Sequence, residues 1–132
     1  MLYLGAVTPR SIVVVDDEPA VRVLYELVLV RRGHNVRTAT TVAEALASCA
    51  ASRPEVVIVD MFMPEASGLE LIRALRREEP SPRIIAITGG GTWEGFEVLT
   101  TAKDAGADVT LRKPVPAEVL VEAVEGLFEA SG

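Results

Sequence analysis

Residues 11–19, SIVVVDDEP, place a run of apolar residues directly before two adjacent carboxylates. A short run rich in Val and Ile is typical of a strand in a parallel sheet that is buried on both faces. Pro19 fits the first turn of a following helix, because an N–H at that position would have no partner within the helix. The segment therefore predicts a buried strand, an acidic loop and then a helix.

The same alternation of short apolar runs with longer helical patterns continues to the end of the chain. It predicts strands at 11–15, 35–39, 56–59, 83–87 and 108–112. It predicts helices at 18–32, 42–52, 68–79, 95–105 and 116–129. Strands that alternate with helices are typical of βαβ units, so we expect a single α/β domain built on a parallel sheet.

Composition limits the kinds of function that the chain could have. Its 132 residues are 49% hydrophobic, which is sufficient for one core without disulfides or a structural metal. There are 13 Lys and Arg residues against 19 Asp and Glu residues, which gives a formal net charge of -6. Because no excess of basic residues is available to replace phosphate counterions, direct binding to nucleic acid is disfavoured.

Two features bear on the location of the protein. No apolar stretch approaches the roughly 20 residues of a membrane-spanning helix, and residues 1–10 lack the basic start and apolar centre of a secretory signal. We therefore expect a cytoplasmic protein without a membrane segment. The one cysteine, Cys49, cannot form an internal disulfide and is interpreted as a small buried hydrophobe, with a reactive thiol as the alternative.

Side chains that could carry chemistry follow four of the predicted strands. They are Asp16 and Asp17 after the first, Asp60 after the third, Thr88 after the fourth and Lys113 after the fifth. In an open α/β sheet, ligands bind outside the carboxyl ends of the strands, where all of these residues are expected. A single acid at such a position often only caps the next helix, but three acids on one edge need a further explanation.

If the first and third strands are neighbours, the three carboxylates converge, and their repulsion raises a pKa or requires a cation. Mg²⁺ suits such a site, because it prefers oxygen ligands and commonly combines carboxylates with phosphate oxygens. A carboxylate can also attack phosphorus and form an aspartyl phosphate, and a metal ion and an ammonium group then neutralise the phosphoryl oxygens. Lys113 and Thr88 are suitable partners for those oxygens.

Four motifs together resemble the response-regulator receiver family. They are VVVDDEP at 13–19, VIVDMFMP at 57–64, ITG at 87–89 and RKP at 112–114, and the similarity covers nearly the whole chain. The resemblance implies a flavodoxin-like three-layer sandwich, with five parallel strands in the order 2-1-3-4-5 and five helices. It also implies that a receiver domain occupies residues 11–130, after an N-terminal extension at residues 1–10.

The resemblance further implies a role for each residue of the acidic site. Asp60 would be the phosphoacceptor, and a sensor histidine kinase or a histidine phosphotransfer protein would supply the phosphoryl group. The magnesium ligands would be Asp16, Asp17, Asp60 and the backbone carbonyl of Phe62. Lys113 would pair with the phosphoryl oxygens, and the Lys113–Pro114 peptide bond would be cis. The Thr88 hydroxyl would move toward the phosphate and alter a protein-binding surface made by helix four, strand five and helix five.

The sequence departs from the family at the expected switch. Members usually have Tyr or Phe three residues before the lysine, where this chain has Thr110. The connection after Thr88 is also glycine-rich, with glycine at positions 89–91. We hypothesise that Trp93 or Phe96 supplies the moving aromatic contact. A flexible loop with Trp93 packed locally is the alternative.

Two other functions stay open. One is a degenerate receiver that binds proteins independently of phosphorylation, as suggested by Thr110 and the altered loop. The other is a magnesium-dependent phosphatase with an aspartyl nucleophile, although such enzymes usually carry a second Asp at the position where this chain has Phe62. A working receiver would instead catalyse its own phosphorylation and dephosphorylation, and would act mainly as a switch for an unknown protein target.

Two further expectations concern the surface. His34 follows Gly33 in the turn before the second strand, and it is interpreted as a solvated turn residue rather than as a phosphodonor. A homodimer through helices four and five is an open alternative. The apolar residues that could face either a partner or the core are Val98, Leu99, Val119 and Leu120.

Overall fold

The computed structural model of the protein describes residues 7–63, 68–89 and 93–129, with the backbone alone at 93–97 and 99. Its strands are β1 (Ser11–Val15), β2 (Asn35–Ala39), β3 (Val56–Asp60), β4 (Arg83–Gly89) and β5 (Val109–Lys113). Its helices are α1 (Pro19–Arg31), α2 (Val42–Ala51), α3 (Gly68–Arg76), α4 (Trp93–Ala105) and α5 (Ala117–Gly126). Strands and helices alternate along the chain, as the sequence predicts.

All five strands are parallel and form one sheet in the order β2-β1-β3-β4-β5. β1 lies beside β3 with Val15 opposite Val59, and β3 lies beside β4 with Asp60 opposite Ile87. β5 pairs with the other side of β4 and ends level with it. The predicted strand order is confirmed, and this register brings the ends of β1, β3, β4 and β5 to a common edge.

Hydrophobic side chains cover both faces of the sheet, because successive residues of a strand point to opposite sides. The core on the α2 and α3 side contains Val13, Val15, Cys49, Val57, Val59, Leu71, Ile72 and Leu75. The core on the α1 and α5 side contains Ile12, Val14, Tyr25, Leu29, Ile58, Leu120 and Val124. Helices on both faces of a parallel sheet confirm the predicted three-layer α/β sandwich.

The structure settles the surroundings of several apolar side chains that the sequence left open. Cys49 is buried, and burial raises the pKa of its thiol, so the interpretation as a small buried hydrophobe is confirmed. Leu120 is fully buried, whereas Val119 is exposed and Val98 packs against the edge of the core. The side chain of Leu99 lies outside the described residues.

The interpretation of His34 as a solvated turn residue is wrong. The side chain is buried, with Nδ1 accepting a hydrogen bond from the backbone N–H of Arg10 at 3.1 Å. Its Nε2 lies 3.3 Å from a carboxylate oxygen of Glu125, which also pairs with the guanidinium of Arg32. The turn before β2 is covered by the residues before β1 and by α5, both distant in sequence, so the local pattern carried no sign of this burial.

Helix α1 presents an apolar stripe to solvent. Val23, Leu24, Leu27 and Val30 are each about half exposed, and their helical spacing places them on one side. Leu24 also lines a groove of about 330 Å³ that reaches Lys113 at the carboxyl edge of the sheet. None of the helices in the described parts of the chain is long and apolar enough to cross a membrane. The stripe is thus apolar surface that adjoins the acidic edge.

Candidate functional site

Three carboxylates meet at the common edge of the sheet. Asp16, Asp17 and Asp60 each offer an oxygen, and these oxygens all lie within 4.8 Å of one another. The cause is the pairing of β1 with β3, since Asp16 follows the last residue of β1 and Asp60 is the last residue of β3. The side chains of Asp16 and Asp60 are almost fully buried. The predicted convergence of the three acids is therefore present.

Burial raises the pKa of Asp60 above its ordinary value of 3.8. A hydrogen bond from the backbone N–H of Phe62 to Oδ1, at 3.0 Å, works in the opposite direction, and the neighbouring charge of Asp16 raises the pKa further. The positive charge of Lys113 lowers it, without cancelling the effect of burial. Asp60 is thus a basic carboxylate in a crowded negative environment, which favours the binding of a cation.

Lys113 is the last residue of β5 and extends its ammonium group into this environment. Its Nζ lies 3.2 Å from Asp16 Oδ2, 3.3 Å from Asp60 Oδ2 and 3.0 Å from Glu18 Oε1. Although burial lowers the pKa of Lys113, the bond to Glu18 and the charges of Asp60 and Asp16 raise it above its ordinary value. The following Lys113–Pro114 peptide bond is cis.

Thr88 carries an unsatisfied polar group at the same edge of the sheet as the carboxylates. It follows Ile87, the residue of β4 that lies opposite Asp60, and its side chain is completely buried. Among the described residues, its hydroxyl oxygen makes no hydrogen bond. Buried hydroxyl groups are nearly always paired, so this one is ready to bond to an oxygen-rich group that arrives at the edge.

Gly68 and Phe62 shape the surroundings of Asp60. A Cβ atom at Gly68, the first residue of α3, would lie 2.8 Å from the backbone oxygen of Asp60, so the helix contacts the end of β3 through glycine. Phe62 is half exposed, and its backbone N–H donates to Asp60 Oδ1.

Sequence reasoning missed three contributors from α1 and the residue before it. Glu18 contacts Lys113, and Arg22 donates a hydrogen bond to the backbone oxygen of Asp16 at 2.9 Å. Tyr25 is also buried, and its pKa is affected by the charges of the site. Burial and the negative charge of Asp16 raise that pKa, and the positive charge of Lys113 only partly offsets them. Residues 18, 22 and 25 are spaced like residues on one face of a helix, and this spacing was the sequence signal that could have identified them.

The expected switch residues are only partly within the described structure. Thr110 lies in β5, half-buried, opposite Ala86 of β4. Trp93 is the first residue of α4, but its side chain, the side chain of Phe96 and residues 90–92 lie outside the described parts. The hypothesis that Trp93 or Phe96 moves on activation therefore stays a prediction.

The donor set determines what the site can hold. Carboxylate oxygens from Asp16, Asp17 and Asp60 are hard ligands, of the type that Mg²⁺ prefers. Each of the two buried acids meets the same ammonium group of Lys113, so one positive charge is shared among several negative ones. This shortage of positive charge, together with the unsatisfied Thr88 hydroxyl, fits a divalent cation that helps to bind an anionic group.

Comparison with known proteins gives consistent matches over most of the chain. A family model described as the response regulator receiver domain matches residues 12–125. The probable transcriptional regulatory protein TcrX of Mycobacterium tuberculosis is 31% identical over 124 residues, which are 94% of this chain and 52% of TcrX. The nitrogen assimilation regulatory protein NtrX of Azorhizobium caulinodans is 34% identical over 122 residues, covering 91% of this chain and 26% of NtrX. The chain thus spans about half the length of TcrX and a quarter of NtrX.

Solved structures show the same fold. The receiver domain of NtrX from Brucella abortus has a TM-score of 0.83 at 31% identity, with 91% of this chain and 99% of that chain covered. The chemotaxis response regulator CheY4 of Vibrio cholerae has a TM-score of 0.80 at 28% identity, with 92% and 100% covered. Both solved chains correspond to nearly the whole of the fold described above.

Proposed function

This chain belongs to the response regulator receiver domain family, and from that premise we propose that Asp60 accepts a phosphoryl group in a two-component phosphorelay. The observation that carries the proposal is the arrangement around Asp60. A buried, basic carboxylate lies against Asp16, within reach of Lys113 and at the same sheet edge as an unsatisfied Thr88 hydroxyl. These groups supply a nucleophile and two partners for phosphoryl oxygens.

In the proposed reaction an Asp60 oxygen attacks the phosphorus atom of a phosphohistidine. A P–O bond forms and the P–N bond breaks, so the phosphoryl group passes to Asp60 and the imidazole leaves with its electron pair. The N–H of Phe62 holds Asp60 Oδ1, which fixes the orientation of the carboxylate. Lys113 then binds phosphoryl oxygens from its position 3.3 Å from Oδ2.

The proposal includes Mg²⁺ as the cofactor. Asp16, Asp17 and Asp60 would hold it through side-chain oxygens, and Phe62 through its backbone carbonyl. When bound, the ion neutralises negative charge on the equatorial phosphoryl oxygens and on the acids themselves. The chain's own contribution is to hold the three carboxylates together at the end of β1 and β3 against their repulsion.

The proposed output begins at Thr88. A phosphoryl group on Asp60 carries about two negative charges, and the unsatisfied Thr88 hydroxyl is expected to move and donate a hydrogen bond to it. This movement would bias the surface formed by α4, β5 and α5 between two states and so change the binding of a target protein. Thr110 and Trp93 belong to that proposed switch.

The partners are also proposed by class. The phosphodonor would be a sensor histidine kinase or a histidine phosphotransfer protein, and the apolar stripe of α1 next to the Lys113 groove supports docking of a protein there. The net charge of -6 supports an output domain or partner, rather than this domain, as the contact to any nucleic acid.

The receiver domain would span residues 11–130 after an extension at 1–10. A cytoplasmic location would keep the buried Cys49 thiol reduced.

The test of this function is phosphorylation in solution. The protein is incubated with a small phosphoramidate donor, with Mg²⁺ or with EDTA, and the modified peptide is located by mass spectrometry. We expect one phosphoryl group, on the peptide that contains Asp60, and only when Mg²⁺ is present. An adduct on another peptide would contradict the role of Asp60, and the absence of any adduct would favour the degenerate, phosphorylation-independent receiver.

The bulk of Phe62 should prolong the life of the phosphoryl group. Phe62 lies two residues after Asp60, its backbone N–H bonds to the Asp60 carboxylate and its side chain is half exposed, so we expect the ring to hinder the approach of a water molecule to phosphorus. We expect Phe62→Gly to shorten the half-life several-fold, and Phe62→Leu to have a smaller effect. The measurement is the decay of the adduct in magnesium-containing buffer after removal of the donor, and equal half-lives for all three proteins would rule out this shielding.

A further inference from the structure

Glu18 contacts the site without having a role in the reaction described above. It is the residue before α1, but its carboxylate makes no capping hydrogen bond to the helix. Instead, Oε1 accepts a hydrogen bond from Lys113 Nζ at 3.0 Å. The Glu18 side chain is 61% exposed, whereas Asp16 and Asp60 are buried. A solvent-facing carboxylate therefore occupies the ammonium group that the proposed reaction needs.

We propose that Glu18 is a positioning residue that competes with the phosphoryl group for Lys113. The proposal rests on the proposed function, since it concerns the same lysine. In the unphosphorylated protein, Lys113 is shared by Glu18, Asp16 and Asp60. When Asp60 carries a phosphoryl group, Lys113 leaves Glu18 and binds phosphoryl oxygens instead.

The number of donors on the lysine explains why a contact has to be exchanged. An ammonium group has three N–H donors, and Lys113 already has three carboxylate partners. Phosphorylation removes the charge of the Asp60 carboxylate, so one phosphoryl oxygen takes its place on the lysine, and a second phosphoryl oxygen can bond only if another carboxylate leaves. Glu18 leaves more easily than Asp16, because water can solvate its exposed carboxylate, whereas Asp16 is buried and would be left without compensation.

The exchange also has a structural consequence. Glu18 precedes α1 directly, and Lys113 ends β5, so their contact joins the start of the helix to the edge strand of the sheet. Release of Glu18 removes this link on phosphorylation. The groove of about 330 Å³ between Glu18, Leu24 and Lys113 would change at the same time. Glu18 thus connects the state of Asp60 to the surface beside α1.

Two variants separate the contact from the charge. Glu18→Gln removes the negative charge with little change in shape. Glu18→Asp keeps the charge but is one methylene shorter, and aspartate is a favoured residue for capping a helix, so its carboxylate can turn toward α1 and away from Lys113. Glu26→Gln on the same helix is the control, because it makes the same change of charge at a residue that belongs neither to the groove nor to the acidic cluster.

The first measurement uses beryllofluoride with Mg²⁺ as a phosphoryl analogue. We expect Glu18→Gln and Glu18→Asp to bind it about two- to five-fold more tightly than the wild type, the range of an exposed ion pair. Glu26→Gln should bind it as the wild type does. Thermal unfolding of each variant checks that the fold is retained.

The second measurement follows the lysine itself. The chain has two lysines, Lys103 and Lys113, so protein labelled with ¹³C-lysine gives two side-chain signals. Without metal, both Glu18 variants should shift the Lys113 signal and leave the Lys103 signal unchanged. A Lys113 signal that does not respond to either variant would overturn the proposal.

The outcomes distinguish this proposal from the function on which it rests. If the wild type does not bind the analogue in the presence of Mg²⁺, the proposed function fails and the role of Glu18 fails with it. If the wild type binds and Glu18→Asp does not differ from it, general charge repulsion explains any effect of Glu18→Gln, and only the Glu18 proposal is overturned. Weaker binding by both variants would assign Glu18 to the support of the bound state and would also overturn it.

Discussion

Replacing Asp60 with asparagine is expected to abolish the phosphoryl adduct and, at the same time, to stabilise the unphosphorylated fold. The adduct is lost because an amide oxygen is not a nucleophile toward phosphorus. The fold gains because a buried carboxylate that repels Asp16 is replaced by a neutral group of the same shape. Asparagine still accepts the hydrogen bond from Phe62, and Lys113 keeps Asp16 and Glu18 as partners. We expect a gain of about 1–2 kcal/mol at neutral pH.

The pH dependence gives this prediction a definite sign. Because burial raises the pKa of Asp60, the folded protein binds that proton more tightly than the unfolded chain does. The loss of stability that the Asp60 charge causes is therefore complete at pH values above the raised folded pKa. It disappears as the pH falls through that pKa toward the ordinary value of 3.8. The difference in unfolding free energy between Asp60→Asn and the wild type, measured in urea, should shrink over that window.

Asp104→Asn is the matched control, because it makes the same isosteric change at an exposed position of α4. It should retain the adduct and change the unfolding free energy little at any pH. Intact mass after incubation with donor and Mg²⁺ decides the chemical half of the prediction. A phosphoryl adduct on Asp60→Asn would remove Asp60 from its proposed role, and a loss of stability in that variant would show that its charge is well compensated.

Replacing Lys113 with methionine is expected to destabilise the fold, whereas Asp60→Asn stabilises it. Methionine keeps most of the length of the side chain but removes the charge that Asp16, Asp60 and Glu18 share. Buried acids without a cation are strongly destabilising, so we expect a loss of about 2–3 kcal/mol at neutral pH and low Mg²⁺. Phosphoryl transfer should also slow greatly, because the phosphoryl oxygens lose their ammonium partner.

The sign of the lysine contribution follows from its pKa. The raised pKa of Lys113 means that its stabilising effect is complete below the ordinary value of 10.5 and is lost only as the pH rises through the folded value. Neutral buffer is therefore the right condition for the measurement. Lys103→Met, at an exposed position of α4, is the control and should change stability little.

Added Mg²⁺ gives a second test of the same variant. A cation among the acids replaces part of the missing charge, so Mg²⁺ should raise the melting temperature of Lys113→Met more than that of the wild type. Thermal unfolding with and without MgCl₂ measures this difference. Equal shifts in the two proteins would mean that the acids and the lysine do not share one electrostatic site.

The sheet and the main site residues could be predicted because each depends on local sequence. Buried parallel strands are nearly continuous apolar runs, and the first polar residue after such a run marks the carboxyl edge, as at Asp16 and Thr88. The order of the strands came from the family resemblance, since the apolar runs of β1, β3 and β4 are too similar to rank by pattern. Three strands extend beyond their predicted ends, because backbone pairing continues to Asp60, Gly89 and Lys113.

The residues that sequence reasoning missed depend on contacts between distant segments. His34 is buried by Arg10 and Glu125, which are 24 and 91 positions away, so its neighbours in sequence gave no indication of this. Glu18 looked like an ordinary acid at the start of a helix, and only the position of Lys113 shows its other partner. The aromatic part of the switch could not be assigned for a different reason, since Thr110 departs from the family and offers no ring.

Gly68 shows how little sequence freedom the acceptor strand has. Within the described residues, the glycines with left-handed backbone are Gly33 and Gly106, so Gly68 is required for space and not for its backbone angles. A methyl group there meets the Asp60 carbonyl, a Met61 sulfur and a Val59 methyl group at 2.8 to 3.0 Å. Position 33 can accept asparagine, which tolerates that backbone. Position 68 has no comparable substitute, because any side chain there would push against the end of the strand that carries Asp60.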